Sequence, residues 1–117
     1  MGESVEILEI TDDARGRVLR ISGRLDAKSA QILVRQCQVL LDQGVTNVVI
    51  TMSEITFVAS SGIGSLLALT ESFKDAGGSL HLAHLSHAVS SVVELLNLGQ
   101  FLSIEATEEE ALVAMGA

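Results

Sequence analysis

Two adjacent hydroxyls followed by two glycines, Ser60-Ser61-Gly62-Ile63-Gly64, form the segment of this chain best suited to carry a reactive or modifiable group. They stand where a β-branched run gives way to a helical pattern, so they fall at the start of a helix. The first backbone N–H groups of a helix have no intrahelical acceptor, and the helix dipole is positive there. An anion is stabilised by both. A phosphate on Ser61 would meet that environment and bring about −1.5 to −2 charges with it. Ser60 is expected to serve as the N-cap. Glycine costs roughly 1 kcal/mol inside a helix relative to alanine, so two in one turn imply a close approach to the backbone.

At about 100° per residue, Ile63, Leu66, Leu69, Thr70 and Phe73 share one face, expected in the core. Ser61, Gly64, Ser65, Ala68 and Ser72 share the other. An ordinary solvated helix shows a Lys/Glu mix there. This face is flat and small, which lets a partner helix come close and make many contacts.

Catalytic patterns are weaker. The chain has no Gly-x-Ser-x-Gly elbow and no Walker lysine. His81, His84 and His87 recur every third residue, but on a strand positions 81 and 84 point to opposite faces, and His87 belongs to the next helix start. No carboxylate cluster completes a metal set. Cys37 lies on an apolar helical stripe and reads as a core residue.

The elements that must position Ser61 follow from composition and period. At 117 residues the chain has room for one domain, with 48% hydrophobic content and a core that must be aliphatic, because Phe57, Phe73 and Phe101 are the only aromatic residues. A net charge of −8 repels a phosphate backbone, which argues against nucleic acid. A lone cysteine fits a reducing compartment. Glu3, Glu6 and Glu9 occupy a stretch where a signal peptide needs apolar residues, and no run approaches the ~20 needed to span a membrane. A cytoplasmic location is expected.

Val5, Ile7 and Glu9 alternate with Ser4, Glu6, Leu8 and Ile10, and a turn at Asp12-Asp13 and Gly16 leads to Val18–Ile21, a hairpin. Ala30, Leu33, Val34, Cys37, Leu40 and Leu41 mark an amphipathic helix, with Asp26 or Ser29 to cap it and Gly44 to end it. Val48–Met52 reads as a central strand, extended by Thr56–Val58 after a kink at Ser53-Glu54. The Ser60 helix runs to Asp75 and stops at Gly77-Gly78. Strands at 80–83 and 101–104 enclose a helix carrying Val89, Val92, Val93 and Leu96. Thr107-Glu108-Glu109-Glu110 is a capping box for a last helix toward Met115. The result is a single α/β domain over residues 1–117.

With these residues placed, the chain resembles the STAS domain family, which includes anti-sigma factor antagonists. The likeness covers about residues 5–115. Gly23-Arg24-Leu25-Asp26 resembles the family's Gly-x-Leu-Asp turn, and Phe57 through Gly64 its Phe-x-Asp-Ser-Ser-Gly-Leu-Gly signature. Leu95–Gly99, Phe101 and the Glu-rich start of the last helix resemble its C-terminal part. The resemblance implies a mixed sheet of about four to five strands, with about four helices mostly on one face. It implies binding to a partner that is both anti-sigma factor and serine-protein kinase, phosphorylation of Ser61, and a serine phosphatase to reverse it. Asp26, Ser60, Ser61, Gly62, Gly64, Ser65, Ala68 and Ser72 are the expected partner-binding residues, and neither metal nor cofactor is implied. Two positions depart from the pattern. Ala59 replaces the aspartate before the serines, and Ile50-Thr51-Met52 replaces a frequent Leu-Asp-Leu strand. A second binding role, a STAS subunit of a larger signalling or lipid-transport complex that is never phosphorylated, is the alternative. A hydrolase or nucleotide-using enzyme with Ser61 as nucleophile would need a base or phosphate cradle that the sequence does not offer.

Overall fold

The structure is a computed structural model that describes residues 5–116. Its elements in order are β1 (Glu6–Asp13), β2 (Gly16–Leu25), α1 (Ala27–Asp42), β3 (Asn47–Val58), α2 (Ser60–Asp75), β4 (Ser79–Ala83), α3 (His87–Leu95), β5 (Ser103–Glu105) and α4 (Glu108–Gly116). The five strands lie in sequence order across one sheet. β1 runs antiparallel to β2, and the remaining neighbours are parallel. The expected mixed sheet with four helices is therefore present.

Apolar pattern decides which face each helix covers. Leu19, Ile21, Val48, Ile50, Leu80 and Leu82 point to one side of the sheet, where they meet Leu33 of α1, Leu66 and Phe73 of α2, and Val89 of α3. Val18, Val49 and Ala83 point to the other side and pack under Ala111 and Leu112 of α4. The uninterrupted β-branched run of β3 is thus needed on both faces. Polar ties fasten α4 as well. The Arg20 guanidinium grips Glu108 at 2.8 and 2.6 Å, and the Thr51 hydroxyl donates to the same carboxylate at 2.5 Å. Thr107 Oγ1 accepts the Glu110 N–H, as its capping role requires.

Three local expectations are corrected and one is sharpened. The hairpin turn contains only Ala14 and Arg15, because the Asp13 carboxylate accepts the Arg15 N–H at 2.9 Å and lets Asp13 still pair with Gly16. Alternation in β1 breaks at Leu8, where a bulge puts Glu9 opposite Arg20 and Ile10 opposite Leu19. One unpaired residue exchanges the faces of all that follow; Ser4 lies outside the described residues. The kink at Ser53-Glu54 is a bulge within continuous β3, since β2 passes from Arg20 to Ser22 while β3 passes from Thr51 to Glu54. The last strand begins at Ser103 rather than Phe101, whose N–H is taken by the Leu98 carbonyl in a turn.

Candidate functional site

Parallel β2 and β3 end together, with Leu25 opposite Val58, and each leads straight into a helix. The N-termini of α1 and α2 therefore emerge side by side at the carboxyl edge of the sheet, the edge where open α/β sheets place their sites. The two ends are tied by the Ala59 N–H, which donates to the Leu25 carbonyl at 2.9 Å.

The two helix starts are finished differently. Asp26 caps α1: its carboxylate accepts the Ser29 N–H at 3.0 Å, and its own N–H donates to Ser29 Oγ at 2.9 Å. The Ser29 N–H bond, seconded by the Ser29 hydroxyl, holds the Asp26 carboxyl below the usual range, and the Arg24 charge adds to this. Asp26 is thus an ionised group already engaged in a capping box. At α2 the N-cap residue is Ala59, with no side-chain cap, and Ser60 is the first helical residue. The expected capping role of Ser60 is corrected accordingly. The first intrahelical bond runs from the Ile63 N–H to the Ala59 carbonyl, so the N–H groups of Ser60, Ser61 and Gly62 lie ahead of the ladder.

The two glycines have separate explanations. Gly62 is buried against the end of β2, where a Cβ would enter the Leu25 carbonyl oxygen and stand 3.0 Å from Leu25 Cγ. The close approach there comes from the chain itself. At Gly64 a Cβ would meet nothing within 4 Å. Nothing inside the fold demands a glycine at that exposed position.

Ser61, Gly64, Ala68 and Ser72 are exposed and Ser65 half-buried, as the periodicity predicts, while Ile63, Leu66, Leu69 and Phe73 are buried. Thr70, assigned to the core stripe, is half-buried at its margin, its hydroxyl donating to the Leu66 carbonyl at 2.8 Å. Ser65 Oγ donates to the Ser61 carbonyl and Ser72 Oγ to the Ala68 carbonyl, both at 3.1 Å. The hydroxyls fold back on the helix, so the face is flat, uncharged and largely satisfied in its hydrogen bonds.

The histidines are dispersed. His81 is buried on the α4 side, its Nδ1 2.6 Å from Glu105, while His84 follows β4 in a left-handed conformation (φ 51°) and His87 opens α3 in solvent. Cys37 is buried in the main core, where burial pushes its thiol up to about 12. One feature of the site edge had no sequence signal: Arg24 lies 4.1 Å from the centroid of the Phe57 ring, since strand pairing brings those two positions together.

Among the described residues, no helix is long and apolar enough to cross a membrane. The STAS domain model matches residues 6–111. The anti-sigma-B factor antagonist of Bacillus subtilis (strain 168) is 26% identical over 109 residues, covering 93% of this chain and 96% of the relative. The unphosphorylated anti-sigma factor antagonist SpoIIAA superposes with a TM-score of 0.73 at 26% identity, over 91% of this chain and 93% of the other. An anti-sigma factor antagonist from Mycobacterium paratuberculosis shares the fold with a TM-score of 0.83 at 22% identity, over 97% and 96% of the two chains. One sheet with three helices on one face and a fourth behind it, the serine pair at the start of α2 and a match over nearly all its length together show that the chain belongs to the STAS domain family.

Proposed function

We propose that this protein is an anti-sigma factor antagonist that acts by binding, and that phosphorylation of Ser61 ends the binding. The observation that carries the reading is the exposed, uncharged face Ser61, Gly64, Ser65, Ala68 and Ser72, which begins at an uncapped helix start. Relatives that share the fold are named as anti-sigma factor antagonists. Small residues let an anti-sigma factor's surface approach the α2 backbone. Ser60 lies at the rim of that contact and Asp26 beside it, while Gly62 contributes by letting α2 sit down on Leu25.

A serine kinase, carried by the anti-sigma factor itself, would transfer phosphate to Ser61, and a serine phosphatase would restore the hydroxyl. The N–H groups ahead of the α2 ladder stabilise the phosphate. Its charge at the rim disfavours desolvation against a partner. These steps place the protein in the cytoplasm. Ala59 favours a second reading, a STAS subunit that is never phosphorylated, because it removes the carboxylate that precedes the serine pair in the family pattern.

The test is capture of the anti-sigma factor encoded by the source genome, followed by titration calorimetry with the purified pair. Ala68→Arg overpacks the contact without touching Ile63, Leu66 or Phe73 and should weaken binding about five- to 150-fold. Ser61→Asp should weaken it less than phosphate does. Incubation with the kinase and ATP should place phosphate on Ser61 by mass spectrometry. Phosphate on Ser60, or none from a kinase that binds, refutes the switch and leaves the second reading. Wild-type affinity for Ala68→Arg with an unchanged melting temperature refutes the interface.

A further inference from the structure

We infer that the docking surface continues from α2 onto the outward face of α1, and that the partner meets it there with carboxylates; the inference rests on the binding role just proposed. It comes from the distribution of charge. The chain has seven basic and fifteen acidic residues. Arg15 pairs with Asp13 and Glu109, Arg17 with Asp12, and Arg20 with Glu9 and Glu108. Arg24 is stacked on Phe57. Among the described residues Lys28, Arg35 and Lys74 have no carboxylate within ion-pair distance. Lys74 sits in the last turn of α2, where a cation complements the helix dipole.

Lys28 and Arg35 are both exposed on α1 and stand two turns apart, hence on one face. From Ala27 to Leu41 the helix carries these two cations, its carboxylates standing only at its ends as the capping Asp26 and the last residue Asp42, and from Ile55 to Thr70 the chain has no charged residue. An acidic protein therefore presents a neutral-to-positive area on the outward sides of the first turns of two adjacent helices, with Asp42, Glu71 and Asp75 confined to the C-terminal turns.

The geometry joins this area to the small face. Thr70 and Lys74 line a cleft with Gln100, Phe101 and Ser103, so that flank of α2 looks toward β5. The opposite flank, with Ser61, Ser65 and Ser72, looks toward α1, against which α2 packs. On α1 a shallow groove is lined by Gln31, Val34, Arg35 and Gln38, where the Gln31 amide stands one turn from the guanidinium and the Gln38 amide donates to Asp42 at 3.2 Å. Paired carboxylates suit both groups: a guanidinium binds them bidentately, and glutamine amides donate to them. A basic partner face would instead be repelled here. It would find its complement on the β1–β2 hairpin and the start of α4, where the acids lie.

Charges at the margin of an interface act chiefly on association rate and salt dependence. Association of the wild-type chain with the purified anti-sigma factor, followed by stopped-flow, should slow as salt rises. Lys28→Glu combined with Arg35→Glu should lower the association rate about tenfold at ~50 mM salt, with the difference vanishing near ~0.5 M. Lys28→Gln with Arg35→Gln should fall between. Both pairs are solvent-exposed, and unchanged melting temperatures confirm that the fold is intact. An unaltered association rate in the glutamate pair, while Ala68→Arg weakens the complex, overturns this inference and leaves the binding role standing. Faster association by the glutamate pair also overturns it, since the partner face is then basic. No binding by the wild-type chain, or wild-type binding by Ala68→Arg, removes the proposed role and this inference with it.

Discussion

Replacing each glycine at the start of α2 by alanine should give opposite results, and the structure supplies the reason for both signs. At Gly62 a new Cβ enters the Leu25 carbonyl oxygen and lies 3.0 Å from Leu25 Cγ. That carbonyl also holds the Ala59 N–H at 2.9 Å, so it cannot retreat without loosening the tie between β2 and α2. Leu25 is fully buried, so its side chain cannot swing aside into solvent. Overpacking of this kind costs about 1–3 kcal/mol. The helical preference for alanine over glycine returns less than about 1 kcal/mol in a first turn. Gly62→Ala should therefore be destabilised by about 1–2 kcal/mol, and at this chain length each kcal/mol lowers Tm by about 4 °C. At Gly64 the Cβ meets nothing within 4 Å, so the helical preference acts unopposed. Gly64→Ala should gain about 0.5–1 kcal/mol. Urea unfolding of the two variants beside the parent chain measures both. The same preparations go to calorimetry with the anti-sigma factor, where Gly64→Ala should bind more weakly although it is the more stable protein. A Gly62→Ala protein as stable as its parent refutes the packing argument. A stabilised Gly64→Ala with undiminished binding refutes the close approach at α2.

Three further outcomes follow from particular contacts. Arg20 holds the Glu108 carboxyl below its usual range, so the stability it contributes is present above the unfolded value and is lost as pH falls through the lower folded one. Glu108→Gln should thus cost about 1 kcal/mol at neutral pH, with the gap to the parent closing below pH ~4 in pH-dependent urea melts. Asp26→Ala removes the capping carboxylate of α1 and should cost about 1 kcal/mol in the same assay, whereas Asp26→Asn should cost less. Cys37, with its thiol pushed up to about 12 by burial, should resist an aromatic disulfide reagent in the folded protein and react at once in denaturant. Rapid reaction in the folded state would show that the α1 core opens readily.

Features under the control of local period and local stereochemistry could be read directly from the residues. The α2 bounds were legible because apolar residues recur at helical spacing between a β-branched run and Gly77-Gly78. The cap of α1 and the left-handed Gly44 were legible because each depends on one side chain or one dihedral. The outward face of α2 was legible for the same reason, since a face is a matter of angle alone. Tertiary structure decided everything that hangs on two distant segments meeting. Ser60 looked like a cap, but the Leu25 carbonyl receives the Ala59 N–H and starts the helix one residue earlier in its place. Gly62 and Gly64 read alike in sequence. Only the nearness of β2 shows that one is required by packing and the other is not. The hold of Arg20 on Glu108, across 88 positions, exists because the fourth helix crosses behind the sheet. The isolation of Lys28 and Arg35 emerges only when every other arginine has found its partner in space. Such contacts carry no periodic signal, because strand order and crossover, not spacing along the chain, determine which residues come within reach.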